Sequence, residues 1–136
     1  MDHSQRQKQP SREDRQRAEA AISERLRGSP NDPVLTWELA CTLAWLGRDA
    51  EADALFAPLE GAWREEPSAQ RALRAAHYAA ARGDAVKTAA YLGSSINTSV
   101  DFSSHVIALD PWFDKVRDHP DVKRVLLAHR LPAATP

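Results

Sequence analysis

Apolar side chains recur along this chain three and four residues apart, and short polar breaks with glycine or proline interrupt them. From Glu13 to Arg27, Ala18, Ala21, Ile22 and Leu26 lie near one helical face, and the stretch RGSPNDP ends the pattern. Asp32-Pro33 then reads as an N-cap followed by the first helical residue. Residues 33–46 are apolar almost all round: Val34, Leu35, Trp37, Leu39, Ala40, Leu43, Ala44, Trp45 and Leu46. A helix of that kind is covered on more than one side. Gly47 ends it, and Asp49 is expected to cap the next helix. Over 50–64, Ala52, Leu55, Phe56, Leu59 and Trp63 form one stripe, and Pro58 inside the run predicts a kink.

A further helix opens at Pro67 and Ser68 and runs to about Arg82, with Ala69, Ala72, Leu73, Ala76, Ala79 and Ala80 on its apolar face. Gly83 closes it. Asp84 caps another helix whose apolar positions are Ala85, Val86, Ala89, Leu92 and Ile96, and SSINTSV is expected to end it. A short helix is expected around Phe102, Val106 and Leu109. Two more short helical pieces open at Asp110-Pro111 and His119-Pro120. No alternating run reads as a strand, so the fold class is all-α. The organisation is a polar, disordered tail over 1–12, helical hairpins over 13–98 and short C-terminal capping helices over 99–130.

Bulk composition narrows the classes of function. The 136 residues make one domain's worth of chain, and the 43% hydrophobic and 27% charged content is ordinary for a globular protein. A formal net charge of −1 gives no field to steer nucleic acid, and no apolar run approaches the roughly 18 residues a bilayer span needs. No nucleic-acid or membrane partner is therefore expected. Cys41 is the one cysteine, which fits a reducing compartment. The opening MDHSQRQKQP lacks the apolar stretch of a secretory signal, so a cytoplasmic location is expected.

Two halves of the helical region repeat. Gly47 and Gly83 are 36 residues apart, each between two amphipathic helices and each with an aspartate close after it. Ala40 and Ala76 precede their glycines by seven residues, and Phe56 and Leu92 come nine residues after theirs. A small residue midway along the first helix allows close approach, and a large one on the second fills the gap to a neighbour. Such a period marks stacked helix-turn-helix units. On these positions the chain resembles the tetratricopeptide repeat family, through Leu39, Ala40, Gly47, Ala52 and Phe56, then Ala76, Gly83 and Leu92. It departs at Ala79, where the family often has Tyr, and at Thr88, where Ala is usual. Residues 13–30 look like the second helix of a degenerate earlier unit.

The closing stretch extends the resemblance, which covers roughly residues 33–127. Many bacterial proteins of this kind look as though they end in D-P-x-F-D-P-L-R-x-D-P-R-F-x-x-L-L. This chain matches at Asp110, Pro111, Phe113, Asp114, Val116, Arg117, Pro120, Val122, Val125 and Leu126, and departs at Lys115, His119 and Asp121. The resemblance implies a short right-handed stack of antiparallel hairpins, a solenoid, closed by a C-terminal cap. Trp112, Phe113 and Val116 would supply one apolar cluster of that cap, and Val122, Val125, Leu126 and His129 another.

Chemistry-bearing motifs are sparse. The five histidines form no metal-binding pattern, no cysteine pair exists, and the aspartates at 110, 114, 118 and 121 lack the spacing and glycine of a calcium loop. No catalytic residue, metal or cofactor is assigned. The resemblance implies instead a concave groove lined by first helices. Carried onto this chain, the partner-binding positions are Val34, Trp37, Cys41 and Trp45, with Leu73 and His77 in the second unit. The expected function is a non-catalytic adaptor or regulatory subunit that binds another protein or peptide. The alternative is a structural homodimer whose groove is filled by a second copy.

Overall fold

The computed structural model describes residues 10–98 and 111–128. Among them are six α-helices and no strand: α1 (Arg12–Gly28), α2 (Pro33–Trp45), α3 (Asp49–Glu65), α4 (Ala69–Ala81), α5 (Ala85–Thr98) and α6 (Pro120–Ala128). A 3-10 turn covers Pro111–Phe113. Most of the 1–12 tail, the helix expected around Phe102, Val106 and Leu109, and His129 lie outside the described residues. The chain divides after Pro67 into two compact units.

In the first unit α2 packs against both α1 and α3. Helix α1 opens one residue earlier than its apolar pattern suggests, because Ser11 and Asp14 form a reciprocal capping box. Its inner side is Arg15, Ala18, Ile22 and Leu26, whereas Ala21, expected on that face, is exposed. Asp32 caps α2 by accepting from the backbone N–H groups of Val34 and Leu35 at 2.9 and 3.1 Å, and Pro33 occupies the first turn. Helix α3 buries the expected stripe through Ala52, Phe56 and Trp63, the two rings meeting edge to face at 5.8 Å. It runs continuously through Pro58, which sits on the exposed side. Ala54, the carbonyl that Pro58 leaves without a helical donor, is exposed as well, where water can satisfy it.

In the second unit α4 packs on α5, α5 on α6, and the 3-10 turn on α4. Ser68 caps α4, and α5 continues to Thr98 through the serines expected to break it. Ser94 is accommodated by donating back to the Ala90 carbonyl at 3.4 Å. Val86, counted with the apolar face, is exposed. The core is Ala76, Ala80 and Ala89 from the hairpin with Leu92, Phe113, Val116 and Val122. Three of its four large members thus fall in the C-terminal stretch or α6.

The two hairpins turn identically. Gly47 has φ +84° and Gly83 has φ +76°. At the first turn Gly47 N–H donates to the Ala44 carbonyl and Arg48 N–H to Leu43; at the second Gly83 donates to Ala80 and Asp84 to Ala79. Each is a Schellman closure of the helix before it. Beyond the glycines the two hairpins diverge by one residue. Asp84 occupies the cap position of α5 and accepts from Lys87 N–H at 3.0 Å. The equivalent residue of the first turn is Arg48, which gives α3 no side-chain cap, so Asp49 falls inside the helix. Arg48 instead grips Glu51 through two bonds of 2.8 Å and Glu19 of α1 at 2.7 Å. Those bonds raise the Arg48 pKa and hold Glu51 below its ordinary value.

Helix α6 is capped by an unusual residue. The Nδ1 atom of His119 accepts from Asp121 N–H at 3.1 Å, and its carbonyl accepts from Lys123 N–H. An imidazole accepts only when that nitrogen is unprotonated, whereas an aspartate there would accept and also favour the helix dipole.

Phe113, 2% exposed, is expected to cost about 3–5 kcal/mol when changed to Ala, against less than about 0.5 kcal/mol for exposed Leu127→Ala, in denaturant melts. His119→Asp is expected to raise stability by about 0.5–1 kcal/mol and His119→Ala to lower it by a similar amount. Glu51, with its depressed pKa, stabilises the fold above the ordinary glutamate range and loses that contribution as pH falls through the lowered value. The gap in urea stability between wild type and Glu51→Gln is therefore expected to close on acidification.

Candidate functional site

Four of the six partner-binding positions lie along α2. The Asp32 cap and Pro33 fix where the helix starts, and so which side Val34 and Trp37 present. Val34 is 36% exposed and Trp37, three residues on, is half-buried. Cys41 is 1% exposed. Burial pushes its thiol pKa well up, and the charge of Glu38 adds to the shift. A protonated, enclosed thiol is a small core group rather than a contact surface.

Trp45 is half-buried, and its ring is claimed from within the unit. The guanidinium of Arg15 on α1 lies 4.4 Å from the ring centroid, a cation–π arrangement. Arg15 is 7% exposed, and its burial lowers its pKa. One turn away, Arg12 donates to the Leu46 carbonyl at 3.5 Å, near the carbonyl end of α2. The start of α1 is thereby held on the end of α2, and the Glu19–Arg48 pair holds it a further turn along. Trp45 stays half-buried beneath this arrangement. Thr42 is buried, its hydroxyl donating to the Glu38 carbonyl at 2.9 Å.

Leu73 and His77 belong to the second unit, where the chain's own C-terminal stretch meets them. The His77 ring lies 5.1 Å from Phe113 and 6.0 Å from Trp112, centroid to centroid. The Trp112 indole N–H donates to the His77 carbonyl at 2.9 Å, and Lys115 Nζ donates to Ala81 at 2.6 Å. Leu73 packs against the same core cluster. Asp114 and Arg117 form an ion pair within the stretch, both partly buried.

Arg12, Arg15 and Lys115 were not among the expected site residues, yet they hold these surfaces. For Arg15 the signal was present: Arg15, Ala18, Ile22 and Leu26 share one helical face. A long aliphatic stem can sit in an apolar stripe while its charge finds a ring. No local pattern distinguishes Lys115, whose partner is 34 residues away.

Among the described residues no group of three or more His, Cys, Asp or Glu side chains is placed to hold a metal ion. None of the described helices is long and apolar enough to cross a membrane. Native protein is expected to leave Cys41 unlabelled by a thiol reagent at neutral pH, with stoichiometric labelling in denaturant. Rapid labelling of the native fold would contradict its burial. Compared with family models, curated proteins and solved structures, the chain matches none.

Proposed function

We propose that this chain is a tetratricopeptide-like helical-hairpin protein that binds another protein or peptide and carries no catalytic step. Two hairpins with the same glycine turn, the same fully enclosed alanine (Ala40 and Ala76) and the same buried large residue (Phe56 and Leu92) support the repeat reading. Helical repeats of this kind recognise partners through side chains on their first helices.

The observation that carries the binding reading is the strip at the start of α2. Val34 is exposed and Trp37 half-buried at the start of α2, whereas Cys41 is enclosed and the half-buried Trp45 ring already carries the Arg15 guanidinium. A half-buried tryptophan next to a smaller, exposed apolar residue can serve as an anchor for a partner. The binding surface therefore shifts toward the first turns of α2. Leu73 and His77 contribute less, because the chain's own C-terminal stretch already lies against them.

Capture with wild-type protein, Trp37→Ala and Val34→Glu tests this reading. A specific partner is expected with wild type, and Trp37→Ala is expected to weaken it by about thirtyfold or more, the scale of a ~2 kcal/mol anchor. Helicity by circular dichroism should be unchanged. If both variants recover the same proteins with the same affinity, the α2 strip is not the binding surface. Light scattering on the purified chain addresses the homodimer alternative: a dimer that Trp37→Ala converts to monomer makes the partner a second copy.

A further inference from the structure

We draw no further inference here: the strongest candidate, the exposed run of small residues on α3 formed by Ala50, Ala54, Ala57, Pro58 and Gly61, is a bare helix face, and nothing in the structure shows what covers it.

Discussion

Left-handed backbone at Gly47 and Gly83 is the constraint on which both hairpins depend. A side chain at those positions would strain the turn, and without the turn neither helix pair could return on itself. The closure also satisfies helix-end carbonyls that would otherwise lack donors, at Ala44 and Leu43 in one hairpin and at Ala80 and Ala79 in the other. Once the chain reverses, the enclosed alanines decide how near the helices come. Ala40, Ala52, Ala76 and Ala80 are wholly inaccessible. Thr88, in the place equivalent to Ala52, is tolerated because its hydroxyl donates to the Asp84 carbonyl at 2.7 Å.

The two units fill their interiors in different ways. The first has large side chains of its own in Leu35, Leu43, Phe56 and Trp63. The second has an α4 that is nearly all alanine on its buried side, so close packing alone leaves it short of apolar area. Phe113, Val116 and Val122 make up the difference, although all three come from beyond the hairpin. Full burial of side chains of this size contributes about 1.5–3 kcal/mol each. The polar anchors then fix the register of that stretch on α4. Trp112 and Lys115 donate to carbonyls four residues apart, and Lys115 places its charge at the negative end of the helix.

Helix positions and the 36-residue spacing were legible in the sequence because period and turn chemistry are local. Asp32-Pro33, Ser68 and the two glycines all act where their neighbours predict. The misjudged features depend on a single residue's offset or on a distant partner. Asp49 and Asp84 both come close after a glycine, but only Asp84 falls on the cap position, and Arg48 takes the other. Val86 sits one position off the buried face of α5, and Ala21 one position off that of α1. The site was harder to read, because exposure on an all-apolar helix depends on what its neighbours cover. Trp37 and Trp45 look alike in the sequence. The cation that settles on the Trp45 ring comes from Arg15, thirty residues earlier, and no spacing within α2 announces it.

On the proposed binding reading, where a partner would dock turns on the same kind of coverage. A partner seeking the side of α4 that carries His77 would have to displace Trp112 and Phe113 first. Phe113 is nearly inaccessible and shares its core with Val116 and Leu92, so lifting it would return all three toward water. At about 1.5–3 kcal/mol for each such side chain, that exposure opposes binding by several kcal/mol before any new contact forms. At the start of α2 no such exchange is needed for Val34, whose exposed surface is already available. A ligand there gains burial without breaking a packed cluster, and preformed surface of that sort binds at the lower cost.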